Sequence, residues 1–377
     1  MAAPELLALV EPDDLGVAER LRREWPPDLV AGATEQVALR RRATTKFSSA
    51  TNMLFTRDGL EQASSEDVAR HRAQRIAREQ PAHIVDLCCG IGGDLVALAS
   101  NGAPVVGVDH NESHAFAARH NARSHHIDAE TVVADVHDIR ITAGHVVFVD
   151  PARRANIAAG GRRGGYSPAL DWCLALPSDR VVIKAAPGLD LSTVPSGWEA
   201  EFVAVGRDLK ECVLWSPGWP GAARRATILP AGPGQEPVEL VPDTACPRPA
   251  VQPPGRYLLD PSPAVTRCGG VTDLAAHLDA WQIDPKIAFL SADHSLRSPF
   301  GRDLVIEASL PFSLKGLTAE LRRLDIGAID IRRRGLAGDV DALRRRLSVR
   351  GSRRATIVLT RVVNKPWTFI CVDPDST

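Results

Sequence analysis

The chain has 377 residues, enough for two or three domains, and its 44% hydrophobic and 24% charged residues are typical of soluble globular proteins. Its 45 basic and 46 acidic residues nearly cancel, which excludes a uniformly basic nucleic-acid-binding protein. No run approaches the roughly 18 apolar residues of a membrane span, and the amino terminus lacks a secretory signal, so we expect a cytoplasmic protein with no membrane partner.

Residues 1–80 are predicted to form a helical amino-terminal extension. DDLGVAERLRREW and SSEDVARHRAQRIAREQ carry apolar residues at three-to-four spacing, and Ser65 is placed to cap the second helix. From 81 to 232 the pattern changes to short Val- and Ile-rich runs separated by helical segments. The runs, typical of strands buried in a parallel sheet, are HIVDLCC, APVVGVD, TVVADV, HVVFVD and DRVVIKAA. This alternation predicts an α/β, Rossmann-like domain.

The rest of the chain is predicted to be a linker and a second α/β domain. Residues 233–255 are so rich in proline that no regular helix is expected, and we interpret them as a linker or an extended strap. Residues 256–377 predict helices in VTDLAAHLDAWQI and DALRRRLSV. RRATIVLTRVV and PWTFICV are predicted to be the closing strands.

A glycine-rich turn follows the first predicted strand, in IVDLCCGIGGD at 84–94. Gly90 and Gly92 would let a ligand approach the backbone, where a Cβ would collide. The nicotinamide fingerprint GxGxxG places a pyrophosphate here, but this turn opens with Asp86, which would repel a pyrophosphate. An acid suits the ammonium and sulfonium of S-adenosylmethionine, so we predict that cofactor and include Cys88 of the turn in its site.

Three more predicted strands end in acids. Asp109 lies 23 residues after Asp86 and can hold ribose hydroxyls. Asp135 can accept from an adenine amino group while the backbone of Val136 reads the ring edge, and Asp150 ends the fourth strand. A single Asp after a strand is commonly a helix cap. Four of them beside a glycine turn favour one binding rim at the carboxyl side of the sheet.

These residues carry a resemblance to a known family. VDLCCGIGGD, VVGVDHNESHAFAARHNA, VVADV and VFVDPARR resemble a class I S-adenosylmethionine-dependent methyltransferase domain over roughly 81–232. EQASSEDVARHRAQRI before them resembles the lead-in helix of RNA guanine-N2 methyltransferases related to trimethylguanosine synthase. The whole chain is similar to bacterial methyltransferases with a carboxyl-terminal THUMP-like domain, here 256–377. THUMP domains bind structured RNA, and the resemblance implies ribosomal or transfer RNA as partner.

The resemblance implies that the acceptor binds at Asp150 and Pro151. Amino methyltransferases of this class continue with a second proline and an aromatic residue, which stacks on the base, but this chain has Ala152 and Arg153 there. Tyr166 after the glycine loop is a candidate substitute, and a guanidinium such as that of Arg153 can also stack on a base. Our candidate catalytic residues are therefore Asp150, Pro151, Arg153 and Tyr166.

Two groups of arginines are candidate RNA ligands. Arg154 follows the acceptor motif, and Arg162 and Arg163 lie in AGGRRGG, a loop predicted to cover the active site. Residues 315–365 hold fourteen basic and five acidic residues, a net charge of +9, as expected for a polyanion partner. The candidates there are Arg332, Arg333 and Arg334, although a solvated helix face would also be arginine-rich.

The acceptor chemistry remains open between several alternatives. Carbon-5 pyrimidine methylation needs a thiolate beside the base, and no cysteine follows Asp150, so direct transfer to nitrogen or oxygen is predicted. Lys184, at the end of the fifth strand, lies near the substrate or pairs with an acid. Seven scattered cysteines without a CxxC pair predict no metal site. A small-molecule or protein methyltransferase, or an RNA-binding factor with a vestigial fold, are the alternatives.

Overall fold

The structure, a computed structural model, describes residues 4–10, 16–153, 165–232, 235–347 and 349–374. The chain forms two compact units. The first comprises Met1–Glu199 and Cys212–Gly221, and the second comprises Ala200–Glu211 and Ala222–Thr377.

Five helices precede the sheet of the first unit: α1 (Pro4–Leu9), α2 (Val17–Leu21), α3 (Pro27–Ala43), α4 (Arg57–Gln62) and α5 (Glu66–Ala77). Proline at the first position of α3 costs no intrahelical hydrogen bond, because that N–H has no partner in any helix. Thr56 caps α4 by accepting from the Gly59 amide. Phe47, Met53 and Phe55 pack these helices into one apolar cluster with Ile91 of the glycine turn.

The sheet of the first unit has five parallel strands: β1 (Ile84–Leu87), β2 (Val105–Asp109), β3 (Glu130–Val133), β4 (Val146–Val149) and β7 (Arg180–Ala185). Their order is β3-β2-β1-β4-β7, and residues 212–215 of β9 (Asp208–Trp215) pair antiparallel with β7. A two-stranded ribbon pairs β5 (Ala152–Arg153) with β6 (Tyr166–Ser167). Helices α6 (Gly93–Ala99), α7 (Glu112–Ser124) and α8 (Leu170–Leu174) follow β1, β2 and β6. The strand order reverses at β1, between β2 and β4, and ligands bind at this position in open α/β sheets.

A buried asparagine joins the helical extension to the glycine turn. Asn121 of α7 is fully buried, and its side-chain oxygen accepts from the Leu54 amide at 2.7 Å. Its side-chain nitrogen donates to the carbonyls of Leu54 at 3.0 Å and Ile91 at 2.8 Å. A buried amide satisfied in this way fixes its neighbours firmly. Asn121 therefore holds the turn after β1 against the segment that leads into α4.

The second unit contains a seven-stranded sheet of order β13-β14-β12-β15-β18-β17-β16. Its strands are β12 (Tyr257–Pro261), β13 (Trp281–Gln282), β14 (Leu290–Ala292), β15 (Gly301–Pro311), β16 (Ile326–Arg333), β17 (Arg353–Val362) and β18 (Lys365–Val372). All neighbours pair antiparallel except β16 and β17, which are parallel and joined through α12 (Val340–Arg346). Before β12, part of β8 (Glu199–Val205) pairs with β10 (Arg224–Leu229), and β10 with β11 (Val238–Leu240). Helices α9 (Pro263–Cys268), α10 (Val271–His277) and α11 (Leu314–Arg323) complete the unit.

The predicted elements agree with the structure except in a few places. The five Val-rich runs are β1, β2, β3, β4 and β7, and the closing strands are β17 and β18, as predicted. The helix predicted across VTDLAAHLDAWQI ends at His277, because Asp279 has a positive φ of 47° and Trp281–Gln282 pairs as β13. Ser65 is at the N-cap position of α5, as predicted, but its side chain makes no capping hydrogen bond. Within the proline-rich segment, Val238–Leu240 is extended and pairs with β10.

Candidate functional site

A cavity of about 390 Å³ lies in the first unit at the carboxyl ends of β1, β2 and β4. Of the predicted site residues, it is lined by Cys88, Gly90, Asp109, Asp135, Val136 and Asp150. The structure therefore brings together acids from three predicted strand ends and the glycine turn. Helix α4 adds Asp58, Gly59 and Gln62 to the wall, and the ribbon adds Ala152 and Ser167.

The two predicted glycines serve different purposes. Gly90 has a φ of 53°, and an added Cβ would meet nothing within 4 Å, so its backbone borders open cavity. Gly92 does not line the cavity. Its φ is 83°, and an added Cβ would lie 2.8 Å from Cα of Ala118 in α7. The glycine requirement at 92 thus comes from packing against α7 rather than from a ligand. Cys88 also has a positive φ, 62°, which sharpens the turn.

Asp109 is a buried carboxylate held by backbone amides. Its Oδ2 accepts from the Gly90 amide at 2.9 Å and its Oδ1 from the Asn111 amide at 2.8 Å. Burial raises the pKa of Asp109, but hydrogen bonds from His114, Asn111 and Gly90 outweigh burial and hold the pKa below its usual value. Asp109 is therefore an ionised acceptor fixed beside the glycine turn.

Asp135 and Val136 lie at the outer edge of the cavity. Asp135 is exposed and accepts from the backbone amide and the Nδ1 of His137, at 2.9 and 2.6 Å. These hydrogen bonds lower the pKa of Asp135. The His137 ring stacks obliquely on Trp172 of α8, with centroids 4.6 Å apart. Val136 is buried beside it, so a polar and an apolar surface adjoin here.

Asp86 lies beneath the cavity rather than on its rim. It is fully buried within β1, and neither carboxylate oxygen has a hydrogen-bond partner among the described residues. Burial raises the pKa of Asp86 well above its usual range, and the carboxylates of Asp94, Asp150 and Asp109 raise it further. We expected Asp86 to contact the ligand directly. The structure instead shows a fully buried carboxyl group that does not line the cavity.

Asp150 is paired with Lys184. The Lys184 Nζ lies 2.6 Å from Oδ2 of Asp150 and 3.3 Å from the carbonyl oxygen of Gln62. Burial raises the pKa of Asp150, although the Lys184 ammonium opposes this effect. Of the two interpretations of Lys184 left open by the sequence, the structure shows the pairing with an acid, and that acid lines the cavity.

The other predicted acceptor residues do not line the cavity. Pro151 is buried, and Arg153 is exposed on β5 opposite Tyr166. The Tyr166 hydroxyl accepts from the Ala186 amide at 2.8 Å, which anchors its ring in the ribbon. No Phe, Tyr or Trp is among the lining residues of the described part of the chain. The candidate RNA ligands Arg154, Arg162 and Arg163 lie outside the described residues.

An ion pair that the sequence analysis missed supports the floor of the site. Arg72 of α5 is 1% exposed and forms an ion pair with the buried Asp94 of α6. It also donates to Ser64 at 2.9 Å and lies over the Phe148 ring of β4. Arg72 is four residues from both Val68 and Ile76, so helical spacing placed it on the buried face of α5. Nothing in the sequence identified Asp94 as its partner.

The thiols of the glycine turn are not activated. Burial raises the pKa of the Cys88 thiol, and the carboxylates of Asp109, Asp150 and Asp86 raise it further. The buried Cys89 thiol is shifted in the same direction. Neither thiol is ionised at neutral pH, as a nucleophile must be. Among the described residues, no group of three His, Cys, Asp or Glu side chains is placed to hold a metal ion, and no helix could cross a membrane.

The three candidate arginines of the second unit all have protein partners. Arg332 lies 3.4 Å from Asp330, and Arg333 donates to the Gly338 carbonyl. Arg334 lies 2.9 Å from the Asp260 carboxylate and over the Phe289 ring, partly buried. Arg334 is therefore part of the packing of the second unit, whereas the side chains of Arg332 and Arg333 remain exposed.

Other exposed arginines lie at the opposite end of β16. Because Ile326 pairs with Arg353, the starts of β16 and β17 lie together, beside the end of α11 and shortly after the end of α12. Five exposed arginines there form no ion pair with any described acid, and we call them the arginine surface: Arg322, Arg344, Arg346, Arg350 and Arg354.

The fold and this cavity define a Rossmann-like nucleoside-binding domain, and comparisons identify its family. Residues 82–225 match the family model of the RNA cap guanine-N2 methyltransferases, 301–372 match a THUMP domain-like model, and 2–43 match a domain of unknown function. An uncharacterized S-adenosylmethionine-dependent methyltransferase of Mycobacterium tuberculosis is 38% identical over 345 residues, covering 87% of this chain and 92% of that protein.

A solved structure supports the same fold. A protein of Porphyromonas gingivalis W83, provisionally named a methyltransferase, superposes with a TM-score of 0.74 at 20% identity, covering 98% of both chains. Given the mycobacterial relative, the chain belongs to the S-adenosylmethionine-dependent methyltransferases. The predicted fold class and the predicted enzyme class are confirmed.

Proposed function

We propose that this chain transfers a methyl group from S-adenosylmethionine to a nitrogen or oxygen of a base in ribosomal or transfer RNA. The observation that carries the proposal is the single cavity in which Asp109, Asp135 and Asp150 adjoin the open backbone at Gly90. Similarity to the RNA cap guanine-N2 methyltransferase and THUMP-like models supports RNA as the substrate class.

The cavity residues fit this cofactor chemically. Asp109 is ionised and can accept from ribose hydroxyls, and Asp135 with Val136 offers an acceptor beside an apolar surface, as an adenine edge requires. Beneath them, the buried carboxyl group of Asp86 has no hydrogen-bond partner among the described residues, and a cationic ligand would favour its ionised form. When bound, S-adenosylmethionine supplies an electrophilic methyl group on sulfur. Gly90 leaves room for a ligand at the turn, and Cys88 lines the same cavity.

The acceptor is proposed to bind at Asp150, at the end of β4. Its carboxylate faces the cavity and can accept a hydrogen bond from an acceptor N–H or O–H. The remaining contribution to the rate is positioning and exclusion of water. Arg153 and Tyr166, on neighbouring strands of the ribbon, remain candidates for contacts with the base next to the cavity.

RNA is proposed to contact the second unit through the arginine surface. Exposed guanidinium groups that form no ion pair with a protein acid can form charge-assisted hydrogen bonds with RNA phosphates. Arg332 and Arg333 remain candidates at the other end of β16, where their side chains are exposed.

Methyl transfer from labelled S-adenosylmethionine into RNA tests the proposal directly. RNA from a strain that lacks this gene should gain label with the wild-type chain, and nucleoside mass spectrometry would then identify the methylated atom. Asp150→Ala should lower the rate at least about 100-fold while calorimetric binding of S-adenosylmethionine remains.

The control is Asp128→Asn, which changes an exposed acid of the same unit and should retain full activity. Label entering protein or small molecules but not RNA would favour the alternative acceptors. Binding of the cofactor without transfer to any acceptor would favour a vestigial enzyme that only binds RNA.

A further inference from the structure

In the Lys184–Asp150 pair, the two carboxylate oxygens of Asp150 have different surroundings. Oδ2 of Asp150 accepts from the Lys184 Nζ at 2.6 Å. No described residue donates a hydrogen bond to Oδ1, and Asp150 lines the cavity with a quarter of its side chain exposed. One oxygen is therefore anchored to the protein, and the other is available to a ligand.

Lys184 is itself held in place. Its side chain is 15% exposed, comes from β7 next to β4, and also donates to the Gln62 carbonyl at the end of α4. An ammonium group with several fixed acceptors cannot rotate toward solvent without losing them. Lys184 thus connects the Asp150 carboxylate to the end of α4 in the helical extension. These contacts with the protein account for its position.

No aromatic ring among the described lining residues is available to orient an acceptor by stacking. Pro151 is followed by Ala152 and Arg153, neither of which is aromatic, and the Tyr166 hydroxyl is anchored to the Ala186 amide. Without a stacking ring among the described lining residues, the orientation of the acceptor depends on polar contacts. Asp150 is the polar group at the strand end where transfer is proposed.

We infer that Lys184 is a positioning residue. By holding Oδ2 of Asp150, it orients Oδ1 toward the methyl acceptor and keeps Asp150 ionised, so that Oδ1 can accept the proton that the methyl acceptor loses. The acceptor is accordingly a group that loses a proton on methylation, a hydroxyl or an N–H. This inference rests on the proposed function and deepens it.

The proposed transfer moves one methyl group to the acceptor and one proton to Asp150. The acceptor lone pair forms the new bond to the methyl carbon, the carbon–sulfur bond breaks, and its electron pair remains on sulfur. The proton of the acceptor O–H or N–H passes to Oδ1 of Asp150, while Lys184 stays protonated and retains Oδ2. Burial already raises the pKa of Asp150, which makes its carboxylate a stronger proton acceptor than an exposed one.

The charges around Asp150 predict how its titration responds to Lys184. Lys184 faces it from β7 and Arg72 from α5, and both favour the ionised form. Asp94 of α6 and Asp86 of β1 oppose ionisation. Removing the Lys184 charge leaves the repulsive groups in place, so the pKa of Asp150 should rise. The acidic limb of the pH–rate profile should then move to higher pH.

The experiment compares Lys184→Met with Lys184→Arg in single-turnover methyl transfer to RNA across pH 5–9. Lys184→Met should lower the rate by about 10- to 100-fold, shift the acidic limb upward, and leave calorimetric binding of S-adenosylmethionine within about twofold. Lys184→Arg should restore most of the rate and the wild-type profile, because it keeps the cation. Lys286→Met, an exposed lysine of the second unit, is the matched control.

A second variant covers loss of stability. Lys184→Met leaves the Asp150 carboxylate without its ion-pair partner, whereas Lys184→Met/Asp150→Asn removes both charges and should unfold near the wild-type temperature. If the pair acts as one unit, the double variant should be no slower than Asp150→Asn alone. A wild-type rate and profile in Lys184→Met, or a lower rate with an unmoved limb, would overturn this inference alone. Absence of transfer by the wild-type chain would overturn the proposed function, and the inference with it.

Discussion

At the scale of single residues, the site contains one carboxylate that works against the stability of the fold. Asp86 is fully buried, has no hydrogen-bond partner among the described residues, and is surrounded by three other carboxylates. Natural active sites commonly keep such groups because the ligand compensates them. In this enzyme a cationic cofactor is the compensation that we propose.

Asp86→Asn should therefore raise stability and lower cofactor affinity. Because the folded-state pKa of Asp86 is raised, the folded chain binds this proton more tightly than the unfolded chain does, and stability falls as pH rises above about 4. The neutral amide removes that loss. We expect a gain of roughly 1–3 kcal/mol at pH 7, no gain near pH 3, and about tenfold weaker binding of S-adenosylmethionine.

Thermal unfolding at several pH values and calorimetry measure these effects. Asp128→Asn is the control, since that exposed acid should change neither quantity. A fall in melting temperature at every pH, or unchanged cofactor affinity, would show that Asp86 is structural.

At the scale of elements, the helical extension is attached to the catalytic sheet by a buried ion pair. Arg72 of α5 pairs with Asp94 of α6, directly after the glycine turn. A buried pair of this kind contributes little relative to apolar residues, but breaking it leaves a buried charge without compensation. We therefore expect the pair to fix the position of α5 relative to α6 and the glycine turn.

Arg72→Met should destabilise the first unit by about 3–5 kcal/mol, and Arg72→Met/Asp94→Asn should recover most of that loss. Chemical denaturation of the single and double variants measures the coupling. Arg70→Met is the matched control on the same helix. Its exposed pairs with Glu66 and Asp67 should be worth less than about 1 kcal/mol. Equal losses in the Arg70 and Arg72 variants would contradict the assignment.

The elements also show what the sequence could and could not predict. The strands of the first sheet were predictable, because continuous Val and Ile runs are diagnostic of strands buried on both faces. Asp109, Asp135 and Asp150 were predictable as neighbours, because parallel strands end on one edge. The packing role of Gly92 was not, since its contact with Ala118 lies between residues 26 positions apart.

Long-range pairing accounts for the other differences. The Lys184–Asp150 and Arg72–Asp94 pairs join separate elements, and no local pattern specifies such partners. Arg334 is a further example, because the charge pattern predicted it as an RNA ligand and could not show that it pairs with Asp260. The predicted domain boundaries near 80, 232 and 255 remain predictions.

At the scale of the whole molecule, the near-zero net charge conceals a local surplus of arginines in the second unit. The arginine surface is a part of that surplus that forms no ion pair with a described acid. If RNA binds there, affinity should fall steeply with salt, because bound phosphates release counterions.

Arg344→Ala/Arg346→Ala should weaken RNA binding roughly tenfold at moderate salt and make the salt dependence shallower by about two units of log–log slope. Both residues lie in the last turn of α12, where alanine preserves the helix. Filter binding across a salt series measures affinity and slope. Arg22→Ala/Arg23→Ala removes two exposed arginines of the first unit and should change neither. Equal effects of both double variants would indicate binding without a defined surface.

The account as a whole depends on the cavity in the first unit being the cofactor site. A crystal structure of the full chain with S-adenosylhomocysteine measures this most directly. We predict the nucleoside between β1 and β2, with its ribose hydroxyls within hydrogen-bond distance of Asp109 and its adenine beside Val136. Density for the ligand elsewhere, or none at saturating concentration, would contradict the account.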